Sequence, residues 1–154
     1  MSVEIDDTQC APKLAELCAL WRSKCRGGRL PARRDFAFED FRPWLGTVTL
    51  LEAVDGGADF RITLHGTANA ERFRIDATGL RISQLPTPWR DAVTPGIAAI
   101  RARRAPLLTR HRWISDHFDY AWERVLAPLA ADGETIDGVI SVIADVAYKS
   151  FARQ

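Results

Sequence analysis

Three histidines, three cysteines and one adjacent Asp-His pair are the residues here that could do nucleophilic, acid-base or metal chemistry. Their spacing argues against all three. His111 and His117 fall on one face of a predicted strand, where six residues at about 3.3 Å each hold them roughly 20 Å apart, too far for one metal ion. Asp116 and His117 are neighbours, and neighbours in a strand point to opposite faces, which weakens them as a general-base pair. Cys10, Cys18 and Cys25 are spaced by eight and seven. That places them along one helical face as small hydrophobes, far from the Cys-x-x-Cys pattern of zinc or redox sites. No Gly-x-Ser-x-Gly elbow, phosphate-cradling glycine loop or His-Glu-x-x-His is present. His65, directly before Gly66, is left as the histidine placed to meet a ligand, beside a purely structural role.

The elements that would position these residues can be read from hydrophobic period and turn chemistry. Leu14, Leu17, Cys18, Trp21 and Cys25 recur at helical spacing and predict an amphipathic helix over 9–26, capped by Thr8 and ended by Gly27 and Gly28. Asp35 is expected to cap a short helix over 36–45. Strands are predicted over 47–54 and 60–65 around the turn DGGAD, with Phe60, Ile62 and Leu64 on one face and Arg61, Thr63 and His65 on the other. Residues 67–88 read as short helical pieces forming a lid, broken by Gly79, Pro86 and Pro88. A helix over 89–104, kinked or restarted at Pro95, precedes three strands over 107–118, 120–130 and 135–147.

Composition bounds the function classes. The 154 residues and 47% hydrophobic content suit one domain with a genuine core, read as a helical extension over 1–46 and a core over 47–147. Lys and Arg number 21 against 20 Asp and Glu, so no global field draws in nucleic acid or an anionic membrane. Arg101, Arg103, Arg104, Arg110 and Arg112 are the densest basic cluster, and no helix-turn-helix or aromatic platform accompanies them. No apolar run reaches membrane-span length and the acidic N-terminus is unlike a signal peptide, so a soluble, cytoplasmic protein is expected.

One helix, two strands, short helices and three strands form an α+β order, and three segments carry a resemblance. LWRSKCRGGRLPARRDF at 20–36, LHGTA at 64–68 with ATG at 77–79, and ERVLAPLAADGETIDGVI at 123–140 resemble the bacterial standalone PAS-domain family. The resemblance implies a five-stranded antiparallel sheet with short helices on one face, a pocket between them, and a sensory or regulatory role without a fixed cofactor. The family pattern has a basic residue three positions before the Gly-Thr pair, where this chain carries Thr63. A flavin adduct would need a cysteine after the second strand, and haem an axial histidine on the helix over 89–104; neither is there, so both cofactors are disfavoured.

Two functional expectations follow, with a third behind them. The first is a signalling domain that dimerises with itself or docks on a partner protein, using Leu14, Leu17 and Trp21 of the N-terminal helix and the exposed face of the sheet. The second is a small-molecule binder whose pocket is lined by Phe60, Ile62, Leu64, His65, Phe73, Trp89 and Trp122, with Trp113 beside Trp122 either in the pocket or in the core. A small non-metal enzyme is the third, opposed by the missing nucleophile and base.

Overall fold

The computed structural model describes residues 2–151. Its framework is one open antiparallel sheet of six strands: β1 (Ser2–Glu4), β2 (Val48–Val54), β3 (Asp59–His65), β4 (Leu107–Ile114), β5 (Phe118–Leu129) and β6 (Gly138–Ser150), in the order β1-β4-β5-β6-β2-β3. The expected count was five. The added strand exists because β4 has a free edge, on which Ser2 pairs with His111 and Glu4 with Thr109. The bidentate contact of Arg103 with Glu4 ties that strand to the neighbouring helix.

Strand ends also differ from the pattern, for local reasons. β4 stops at Ile114 because Ser115 Oγ accepts the backbone N–H groups of His117 and Phe118, at 3.1 and 3.2 Å, and folds a tight turn there. Asp132 does the same before β6: its carboxylate accepts N–H bonds from Glu134 and Thr135, so the strand expected from 135 starts at Gly138.

Helix α1 (Pro12–Lys24) lies on one face of the sheet. Pro12 suits the first helical turn because it has no N–H to leave unpaired. Thr8 is not its cap. Ala11 holds that position, and its N–H is taken at 2.8 Å by the Glu123 carboxylate reaching over from β5. Likewise the segment expected as a helix from Asp35 is two 3₁₀ turns, Arg33–Asp35 and Phe38–Trp44, in which Asp35 and Asp40 reach back to the N–H groups of Ala32 and Ala37.

The opposite face carries α2 (Thr67–Phe73) and α3 (Thr87–Arg103). Pro95 sits inside α3 without dividing it. Ile97 and Ile100 of α3 pack on Leu107, Leu126 and Val139, whereas Leu14, Leu17 and Trp21 of α1 pack on Val125, Ile140 and Val142. Two hydrophobic cores therefore share one sheet. No helix among the described residues is long and apolar enough to cross a membrane.

A β-bulge decides which side chains of β3 enter which core. Leu50 pairs with Leu64 but Leu51 pairs with Ile62, which leaves Thr63 as the extra residue. Leu64 is thereby turned toward α1, away from Phe60 and Ile62, and His65 is turned to the face of Ile62, both contrary to simple alternation. Gly66 then brings β3 against the start of β2. Its N–H donates to the Val48 carbonyl at 2.8 Å, and a Cβ on it would lie 2.6 Å from the Gly46 carbonyl carbon. Directly after it, Ala68 and Asn69 donate their backbone N–H groups to the Gly46 carbonyl and α2 begins.

Candidate functional site

Between the sheet and α2–α3 lies a cavity of about 300 Å³. Its floor comes from four strands: Leu51 and Thr49 of β2, Ile62 and His65 of β3, Trp122 and Arg124 of β5, and Ser141 and Ile143 of β6. Its roof is Phe73 of α2, Ile82 and Leu85 of the following turn, and Trp89 with Val93 of α3. Of the residues expected to line it, Ile62, His65, Phe73, Trp89 and Trp122 do so. Leu64 does not, because the bulge turns it to α1. Phe60 does not either: it lies under the Arg101 guanidinium, 5.2 Å from the ring centroid, beside a separate groove.

Aromatic rings form one wall. Phe73 meets Trp89 edge-on at 4.7 Å and Trp122 at 5.8 Å, Trp89 meets Trp113, and Trp122 is stacked between His111 at 5.1 Å and Tyr120 at 4.9 Å. Beyond Tyr120 the wall closes on a polar cluster, in which the Tyr120 hydroxyl and Arg72 both bond Asp145. Burial, then the Asp145 carboxylate, raise the pKa of that hydroxyl, so it is a fixed donor and not an acid at neutral pH.

The polar groups in the cavity fall into satisfied and unsatisfied sets. His111 is buried with a hydroxyl on each ring nitrogen, Ser2 on Nδ1 at 2.8 Å and Thr109 on Nε2 at 2.7 Å. Burial and the neighbouring Arg124 charge hold its pKa down at about 3, so the ring is neutral. His65 is held by a relay: buried Asn69 donates to Thr49 Oγ1 at 3.2 Å, and that hydroxyl meets His65 Nδ1 at 3.3 Å. Thr49 Oγ1 has room to accept from both Asn69 and His65 or to donate its own proton to Nδ1, so the Thr49 hydroxyl and the His65 tautomer are set together. Burial lowers the pKa of His65 against the opposing pull of Asp76.

Three buried side-chain atoms among the described residues have no hydrogen-bond partner: His65 Nε2, Trp89 Nε1 and Arg124 Nε. All three belong to residues that line this cavity; Trp89 Nε1 and Arg124 Nε are N–H donors, and His65 Nε2 donates or accepts according to its tautomer. Arg124 is the most costly of them. It is 5% exposed, it donates through one Nη to the Ala92 carbonyl of α3 at 2.7 Å, and among the described residues no carboxylate pairs with it. Burial alone pulls its pKa to about 10, which leaves it charged at neutral pH.

The sequence pattern overlooked Arg124, Thr49 and Ser141. The signal for Arg124 was present: it alternates with Trp122 and Leu126, so a charge was being placed on a core face.

The remaining candidates are dispersed. Leu14, Leu17 and Trp21 are at most 6% exposed, and the Trp21 indole donates to the Pro128 carbonyl at 2.8 Å, so their stripe is spent on the chain's own core and is not an open docking face. Cys10, Cys18 and Cys25 are free thiols on or beside α1, each raised in pKa chiefly by burial. Asp116 and His117 are exposed in the β4–β5 turn. The arginine cluster is divided among separate partners: Arg101 with the Gly57 carbonyl, Arg103 with Glu4, Arg104 with the Glu134 carbonyl, Arg110 with Glu123 and Arg112 with Asp119. Among the described residues no three His, Cys, Asp or Glu side chains gather where a metal ion could be held.

Comparison with protein-family models, curated proteins and solved structures finds no match, so the functional reading rests on this geometry.

Proposed function

We propose that the chain is a regulatory domain of PAS-like organisation, gated by a small molecule that occupies the aromatic cavity between the sheet and α3. The carrying observation is that the buried side-chain nitrogens without partners all belong to residues that line one cavity with an aromatic wall. An ordinary core does not collect them there, because each unmade bond costs about 1–3 kcal/mol. The arrangement of two strands, a helical insert and three strands in one antiparallel sheet supports the PAS-like reading. Thr63, at the position where the family pattern has a basic residue, is the exposed bulge residue. The cation at the cavity is supplied by β5 instead.

Gating follows from where the cavity sits. Trp89, Ala92 and Val93 are on α3 while Trp122 and Arg124 are on the sheet, so a molecule touching both favours one placement of α3 over others. That shift would be passed to a partner protein. His111 has a hydroxyl on each ring nitrogen, which leaves it no free nitrogen to act on a bound molecule.

Native mass spectrometry of the purified protein, followed by thermal-shift titration with neutral and anionic bicyclic aromatics and hydrogen exchange over 87–103, tests the reading. A ligand that raises the melting temperature should also raise amide protection in α3. A flat thermal response with unchanged protection across the panel contradicts it.

A further inference from the structure

We propose that the cavity selects a monocarboxylate: Arg124 holds the carboxylate, and an apolar ring-sized body lies against Phe73, Trp89 and Trp122. The inference rests on the small-molecule reading above and adds the chemical class of the ligand.

The first argument is the sign of the unmet hydrogen bonds. Trp89 Nε1 and Arg124 Nε are donors, so the group that satisfies them must bring acceptors. The second is charge. Glu123, next to Arg124, lies on the other face and is matched by Arg110, with contacts of 2.5 and 3.0 Å. Asp91 on the cavity rim is exposed and does not pair with Arg124. Arg112, which also lines the cavity, is paired with Asp119, so Arg124 is the buried cation of the lining without a carboxylate, and a single carboxylate matches it. A dianionic phosphate would leave an excess negative charge in a low-dielectric site.

The third argument is that the fold makes room for the guanidinium instead of using it as a simple brace. Gly96 of α3 stands over it: a Cβ there would be 2.6 Å from Leu126 Cδ1 and 3.3 Å from Arg124 Nη2. Pro95, one position earlier, has no N–H to give the Asp91 carbonyl, so the helix ladder is interrupted next to Ala92, the residue that Arg124 engages. One Nη is used for that bond while Nε is left unpaired and covered, so a carboxylate that engages this edge side-on must shift the groups packed over it.

Distance sets the rest of the ligand. Arg124 on β5 and His65 on β3 are separated by β6 and β2, three inter-strand steps or about 14 Å across the sheet. One carboxylate cannot span that distance, so His65 is placed for a second polar group, such as a hydroxyl, at the far end of the body.

The test is titration of intrinsic tryptophan emission with 3-phenylpropanoate and indole-3-acetate, each beside its neutral amide. The acids should bind at least tenfold more tightly than the amides, and R124Q should bring the acids down to the affinity of the amides while leaving the amides within about threefold. Equal binding of acid and amide by the wild type, or an acid preference that survives in R124Q, overturns the carboxylate assignment alone. Binding of neither form overturns the small-molecule reading with it. Should R124Q fail to fold, the acid and amide affinities of the wild type decide the matter.

Discussion

Glu123 and Arg124 are consecutive in β5 and lie on opposite faces of the sheet, and only one of the two charges is matched. Glu123 accepts from Arg110 and from the Ala11 N–H that opens α1, whereas Arg124 has a single carbonyl bond from a fully buried position. The first is a structural clamp. The second costs stability in the free protein, which is the signature of a group kept for binding.

Replacing Arg124 with Met should therefore not weaken the fold. The variant loses one charge-assisted bond to Ala92 but removes a buried charge whose desolvation costs several kcal/mol. The expected melting temperature is equal to that of the wild type or up to about 6 °C higher, from a gain of up to about 2 kcal/mol. Calorimetry that finds a loss of 3 kcal/mol or more would make Arg124 a brace and not a binding group.

Acid sensitivity should run through His111. Its pKa is 6.5 in an unfolded chain and about 3 in the folded one, so between those values the unfolded state takes up the extra proton. Its contribution is whole above pH 6.5 and is lost progressively as the pH falls toward 3, amounting to a few kcal/mol in full. H111Q, which can still bond Ser2 and Thr109, should show a shallower fall in melting temperature from pH 6.5 to 4.5 than the wild type. Parallel curves would contradict this.

Much of this frame was legible in the residues, and what was missed has identifiable causes. The period of Leu14, Leu17 and Trp21 gave α1 and its buried face, and alternation placed Ile62 in the cavity. Alternation failed after Ile62 because β3 carries a bulge at Thr63, a feature of its pairing with β2 that no local pattern records. β1 was missed because three residues carry no period and gain order only on the edge of β4. Arg124 was visible as a charge on an apolar face, but its lack of a carboxylate emerges only once every neighbouring strand is in place.

Gly66 should be intolerant of a side chain. A Cβ there meets the backbone of Gly46 and the Val48 carbonyl, neither of which can rotate away. G66A should lose about 2–3 kcal/mol in urea unfolding, the cost of forced overpacking. A loss under 0.5 kcal/mol would mean that the β2–β3 junction is looser than described.

Leu17 separates the two uses once open to α1. It is fully buried against the sheet, so L17A should lose about 2–5 kcal/mol of stability. The loss should be the same at low and high protein concentration, measured by unfolding at two concentrations a hundredfold apart. A midpoint that moves with concentration would return α1 to a subunit interface.

The most direct measurement is a ¹H–¹⁵N spectrum recorded while 3-phenylpropanoate is added. The Arg124 Nε–H and Trp89 Nε1–H signals should move together and saturate at one affinity, the first because it gains the carboxylate and the second because the ring lies against its indole. The Trp21 and Trp44 indole signals, already bonded to the Pro128 and Lys13 carbonyls, should stay in place. A titration that shifts Trp21 or Trp44 and leaves Arg124 unmoved would contradict the account.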